Sequence, residues 1–347
     1  MKFKKLVALS LTMIMSVGLL VGCGSNNNES ASNEDVITVG MITDVGGVND
    51  ESFNQSAWEG LQAVQKELGK DVVEVKYLES KQDSDYTPNI EQFVDDEMDL
   101  IIGVGYKLAN AIETAAKNYP EQEFAIVDHS YEVQPKNVTS LIFEDNVSGY
   151  LVGLIAGKMT ETNKVAFVGG IESVVLDKFE NGFKAGVLDA NPDAEIFVQY
   201  ANSFSDSAIG KSIANSLISK DVDVLFPCAG AAGTGVIEAA KESGKYAIGV
   251  DRDQNDLAPN NVITSAMKNV NNAAADVVRA LVDGSYVSGE VKINTLETGG
   301  VGIAPTSNKN VPEDVLNYVE EKSQEIIDGK ITVPSSDEDY EKAYGNK

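Results

Sequence analysis

The sequence predicts an α/β protein built from parallel sheets with helices on both faces, arranged as two lobes. Short apolar runs alternate with longer amphipathic stretches, which is the pattern of repeated β-α units. Most of those apolar runs are nearly continuous, as strands buried on both faces require. The chain after Asp35 is also too long for one core of ordinary size. Right-handed crossovers would wind each lobe.

The elements follow in order. Val36 to Ile42 is a strand candidate, and Ser52 to Leu68 carries Phe53, Trp58, Leu61 and Val64 at helical spacing. Val72 to Leu78 is a strand, Pro88 to Glu97 a helix, Leu100 to Val104 a strand and Ala109 to Ala116 a helix. Strands over Phe124 to Val127 and Val138 to Phe143 precede a long helix from Val147 to Met159. Val165 to Val168, Ala194 to Tyr200, Val222 to Pro227 and Tyr246 to Val250 continue the strands. Helices over Val174 to Asp189, Ile209 to Ile218 and Gly235 to Ser243 lie between them.

Upstream, Lys2, Lys4 and Lys5 precede an apolar run from Leu6 to Val21, closed by Leu20-Val21-Gly22-Cys23. A basic start, a short apolar stretch and small residues before a cysteine form a secretory signal with a lipobox. Residues 1–22 are therefore expected to be removed, and Cys23 to carry lipid. Residues 23–35 are rich in Ser and Asn and would serve as a flexible tether. A lipid anchor holds a protein at the membrane without spanning it. Cys228, the second of two cysteines, then has no partner and is expected to be a small buried hydrophobe.

The formal net charge is -27, and loss of the signal, which holds three lysines and no acid, makes it more negative still. Such a chain repels polyanions, so a nucleic-acid partner is excluded. Zinc needs more than the single histidine, His129, and Cys228. Asp251-x-Asp253-x-Asn255 begins like a calcium loop, but Asp256 and Val262 occupy the positions that need glycine and glutamate. Gly210-Lys211-Ser212 mimics the end of a phosphate loop with Ser205 where its first glycine belongs. The cluster Gly230 to Gly235 lacks the dinucleotide spacing and suits a tight strand-to-helix turn. No Gly-x-Ser-x-Gly elbow accompanies His129, so neither catalysis nor a cofactor is expected.

Ligands of doubly wound sheets gather beyond the carboxyl ends of the strands. Small, acidic, amide and aromatic residues recur there, and Asp44, Phe53, Asn54, Asp128, Phe204, Asp251 and Lys268 form the candidate constellation. Carboxylates can accept from hydroxyls or ring N–H groups, and phenylalanines can sandwich a flat base.

The segment Gly40 to Gln55, reading GMITDVGGVNDESFNQ, resembles the opening signature of the basic membrane protein family, nucleoside-binding lipoproteins of the PnrA and TmpC type. Gly149 to Gly153, Phe179 to Phe183, Ile248 to Asp251, Asp253-Gln254 and Thr264 to Lys268 extend the resemblance along the mature chain. It implies a type I periplasmic-binding-protein fold, with two Rossmann-like lobes joined by three crossings near Phe143 to Asn146, Val262 to Met267 and Tyr286 to Gly289. Lobe 1 would comprise residues 36–144 and 266–288, lobe 2 residues 145–265 and 289–335, with a C-terminal tail over 336–347.

The resemblance further implies that Phe53 and Phe204 stack on a purine whose edge meets Asp44 and Asn54. Asp251 and Lys268 would hold the ribose, with Asp128 and Gly230 nearby. The implied ligands are inosine, guanosine and adenosine. The implied partner is an ABC transporter permease, and the protein would be a monomer, lipid-anchored on the outer face of the cytoplasmic membrane. A sugar or autoinducer-like ligand, a nucleoside-sensing receptor and a nucleoside hydrolase are the competing readings.

Overall fold

A computed structural model describes residues 36–345. Two six-stranded sheets each form the centre of a lobe. The first combines β1 (Ile37–Ile42), β2 (Val73–Leu78), β3 (Leu100–Val104), β4 (Glu123–Val127), β5 (Val138–Phe143) and β11 (Val291–Asn294), in the order β11-β5-β4-β3-β1-β2. The second combines β6 (Lys164–Gly169), β7 (Glu195–Tyr200), β8 (Val224–Cys228), β9 (Tyr246–Asp251), β10 (Val262–Lys268) and β12 (Val301–Ile303), in the order β12-β10-β9-β8-β6-β7. Every pairing is parallel except β10 with β12.

Strand side chains alternate between faces, so both faces of a doubly covered strand must be apolar. In β3, Leu100, Ile102 and Val104 join one core while Ile101 joins the other. In the second sheet, Val165 and Phe167 face one way and Ala166 and Val168 the other. In lobe 1, α1 (Phe53–Leu68) packs against α8 (Val270–Asp283), and α2 (Tyr86–Asp95) against α3 (Ala109–Asn118).

In lobe 2, α4 (Asp145–Met159) lies along α5 (Val174–Ala190), and α6 (Ser207–Ile218) along α7 (Gly230–Glu242). The α4–α5 approach is close enough that a Cβ on Gly182 would sit 2.0 Å from the Asn146 carbonyl oxygen. That contact fixes the height of α5, which carries part of the ligand cavity's wall. The helix α9 (Glu313–Ile327) covers α4 from the other side.

Several boundaries differ from the sequence reading. Val262–Lys268, expected to cross between lobes, is a full strand of the second sheet, and the chain crosses after Lys268 to reach α8. Residues 266–268 thus sit in lobe 2. β11, expected in lobe 2, pairs with β5 in the first sheet, which moves the third crossing to the stretch between Asn294 and Val301. The apolar run of β10 suits a buried strand, and its position next to β9 decides the lobe. The supposed tail holds a helix, α10 (Asp337–Tyr344), docked on α5. Asp337 there accepts from Asn181, and Lys184 lies 4.3 Å from the centre of the Tyr340 ring. No helix among the described residues is long and apolar enough to cross a membrane. The signal, the tether and Cys23 lie outside the described residues.

Candidate functional site

The carboxyl ends of the strands in both sheets face one cleft. Asp44 follows β1, Asp128 follows β4, Phe204 follows β7, and Asp251 and Lys268 end β9 and β10. Gly230 opens α7 just after β8, while Phe53 and Asn54 open α1. All of these line a single cavity with about 580 Å³ of non-atom space, part of it open to solvent. The cavity wall also includes Asp50, Tyr106, Leu176, Phe179 and Cys228, which were not singled out as ligand residues. Tyr106 stands at a strand exit and Phe179 within a stretch that carries the family resemblance, but helical spacing alone makes Phe179 indistinguishable from core.

On the lobe 1 side, Asn54 organises two carboxylates. Its Nδ2 donates to Asp44 at 2.8 Å and to Asp50 at 3.0 Å, and Asp44 Oδ1 also accepts from the Gly46 amide at 2.8 Å. Burial pushes the Asp44 carboxyl up to about 6 against the opposing effect of Asn54, and burial likewise raises Asp50. Water is poorly available to these groups, so a ligand donor would replace solvation they lack.

Between the lobes, Ser52 donates a hydrogen bond to Asp251 Oδ2. Lys268, 1 % exposed, lies 2.7 Å from Asp128 and 3.0 Å from Asp145. Burial opposes its charge, but Asp128, Asp145 and Asp251 outweigh burial and hold the ammonium above its ordinary range. Burial raises the Asp251 carboxyl to about 7, with Lys268 and Ser52 pulling it back. Asp128 and Asp251 both adopt left-handed backbone, with φ of 67° and 66°. Such geometry is uncommon outside glycine, and Asp is among the side chains that adopt it most readily.

Phe53 and Phe204 enter the cavity from different lobes. A Cβ on Gly170 would fall 2.3 Å from the Phe204 ring, so glycine there makes room for the aromatic face. Gly230, with φ of +53°, lies under the Phe204 backbone and begins a helix whose first turn takes in the glycine cluster. The expected loop before Gly235 is therefore helical. Gly210 is likewise a packing residue, because its Cβ would meet the Ala232 carbonyl at 1.9 Å.

His129 lies away from the cleft, edge-on to Tyr131 at 4.6 Å between ring centres. Burial lowers its pKa. The calcium-like run is dispersed: Asp251 faces Ser52, while Asp253 accepts from Thr306 and the Asn255 amide. No cluster of metal-ligating side chains occurs among the described residues. Cys228 is buried, and burial raises its thiol well above the ordinary range, which keeps it protonated.

Two α/β lobes joined by three crossings around a polar and aromatic cavity are an architecture found in solute-binding proteins. A solute-binding protein of an ABC transporter system from Aeropyrum pernix superposes with a TM-score of 0.80 at 26% identity, covering 89% of this chain and 97% of that one. The profile described as ABC transporter substrate-binding protein PnrA-like matches residues 37–337, and the chain belongs to that family. A protein named ABC transporter nucleoside-binding protein BmpA from Lactococcus lactis is 39% identical over 96% of this chain and 99% of its own length. A CD4+ T-cell-stimulating antigen from Listeria innocua is 43% identical over 95% of this chain and 99% of its own length.

Proposed function

We propose that this substrate-binding protein captures purine nucleosides and delivers them to an ABC-type permease, while lipid on Cys23 holds it at the outer face of the cytoplasmic membrane. Inosine, guanosine and adenosine are the proposed ligands. The observation that carries the proposal is the pairing of Phe53 and Phe204, from different lobes, in a cavity walled by Asp44, Asp128, Asp251 and Lys268. Aromatic faces suit a flat base, with stacking worth ~1–3 kcal/mol per base. Carboxylates suit hydroxyl and ring N–H donors, and their excess over the single buried ammonium disfavours a phosphate. The name of the Lactococcus lactis relative agrees with a nucleoside. Aromatic residues on both lobes favour a base over a bare sugar.

Phe53 and Phe204 would stack on the purine, and Asp44 and Asn54 would meet its edge. Asp251 and Lys268 would hold the ribose, with Asp128 and Gly230 beside it. Closure of the lobes around the ligand would give the permease a surface that the open form lacks. The test is calorimetric titration of the chain from Ser25 onward, after unfolding and refolding to strip ligand. Purine nucleosides are expected to bind tightly, with ribose and AMP weak. Silence with every nucleoside in a folded protein would sink the proposal.

A further inference from the structure

The Lys268 ammonium is held from two sides. In front, Asp128 lines the cavity with both oxygens 2.7 Å from Nζ, of which Oδ2 accepts a hydrogen bond. Behind, Asp145 approaches Nζ at 3.0 Å from outside the cavity wall, with its side chain 2 % exposed. Asp145 opens α4 just after the first crossing, and Lys268 ends β10 just before the second. Both belong to lobe 2, while Asp128 follows β4 in lobe 1, so Nζ bridges the lobes beside two of the crossings. The rings of Phe143, Phe53 and Phe179, with centres 5.1, 5.3 and 5.6 Å from Nζ, surround the ammonium.

Asp128 Oδ1 and Asp145 Oδ1 are both buried and lie 2.7 and 3.0 Å from Nζ, each ion-paired with it but without a well-directed hydrogen bond. A buried carboxylate oxygen without a donor is costly, and it is satisfied when a ligand hydroxyl supplies one. An ammonium has three donors to distribute. While Asp145 shares the ammonium from behind, Asp128 Oδ1 has Nζ beside it but no well-directed donor, and a ligand hydroxyl can supply one. With Asp145 uncharged, the ammonium would be drawn wholly to Asp128 and compete with the ligand hydroxyl for Oδ1.

We infer that Asp145 is a positioning residue for recognition of the ligand's hydroxyl groups, acting through Lys268 and Asp128 without touching the ligand. The inference rests on the nucleoside reading. The test is Asp145→Asn, titrated with guanosine and with 2′,3′-dideoxyguanosine. Guanosine binding is expected to weaken about tenfold or more, and dideoxyguanosine binding less than about twofold, as loss of one member of a buried charge pair predicts for the group it orients. In a Lys268→Met background, Asp145→Asn is expected to add nothing, because the two act through one contact.

Equal weakening of both ligands, no weakening of either, or an additive effect in the double variant would overturn the inference. If Asp145→Asn does not fold, Asp145→Ser, which keeps an oxygen at the helix start, takes its place. Failure of both to fold would assign Asp145 to folding and overturn its positioning role. A wild-type protein that binds neither ligand overturns the nucleoside reading and this inference with it. Wild-type binding with an unchanged preference in the variant overturns this inference alone.

Discussion

Asp251 shows the tension built into the site at the scale of one residue. Its carboxyl is buried, left-handed in backbone and raised to about 7 by that burial. Asp44 and Asp145 are raised to about 6 for the same reason. A carboxyl raised on folding binds more protons folded than unfolded, so stability falls as pH rises from its unfolded value near 4 through its folded value. The ligand-free protein is thus expected to melt lower at pH 8 than at pH 5. Asp251→Asn isolates one contribution, because Asn tolerates positive φ and can still accept from Ser52. This variant is expected to melt higher than wild type at pH 8 in the absence of ligand. Its nucleoside affinity should drop by ~1–3 kcal/mol, the cost of a lost buried acceptor. Scanning calorimetry and titration at the same pH read both, and a variant that loses stability and keeps affinity would remove Asp251 from the ligand site.

Among the elements, two loops join the lobes at the rim of the cleft. Arg252 donates to Glu51 at 2.8 Å and lies 3.4 Å from Glu59. Gln254 Nε2 donates to the Glu51 carbonyl oxygen at 2.7 Å. Glu51 has a φ of 54°, so the strained segment before Phe53 is held by the opposite lobe. This clasp lies next to the Ser52–Asp251 contact and to Phe53, which lines the cavity. Arg252→Ala is expected to speed nucleoside release about threefold to tenfold with little change in association, since contacts within a formed interface act mainly on dissociation. Stopped-flow displacement measures it, and an unchanged off-rate would show that the clasp does not hold the closed form.

Most strands and helices were legible because doubly buried strands must be apolar and their connecting helices amphipathic. The strand exits were legible for the same reason, which is how Asp44, Asp128, Phe204 and Asp251 could be read as one group before any fold was seen. Lobe membership was not legible for β10 and β11, because periodicity says that a segment is a strand and nothing of which sheet it joins. The helical start of α7 was hidden by glycines that weaken local propensity; Gly235 packs closely on α6, while Gly233 meets Pro227 and Gly230 meets Phe204. Asp145 was missed because it looks like an acidic residue at a helix start, and only the fold brings it to Lys268.

For the whole molecule, the proposed nucleoside reading makes selectivity against phosphates a matter of charge. The chain carries -27 overall, and the cavity wall includes Asp44, Asp50, Asp128 and Asp251 with one buried lysine, Lys268. A nucleoside enters neutral, but its 5′-monophosphate brings up to two negative charges into a poorly solvated cleft. The penalty is therefore electrostatic first, and it should be greatest where the cleft carboxyls are ionised. Adenosine is expected to bind at least about a hundredfold more tightly than AMP at pH 8, a difference of ~3 kcal/mol for an uncompensated charge. Acidification to pH 5 protonates Asp44 and Asp251, whose carboxyls lie near 6 and 7, and should narrow the gap. The phosphate also gains a proton over this range, which works in the same direction. A neutral control separates charge from bulk: 5′-O-methyladenosine is expected to bind much closer to adenosine than to AMP at pH 8. If it is excluded as strongly as AMP, the cavity rejects phosphates by its walls, and the carboxylates serve only the sugar and base.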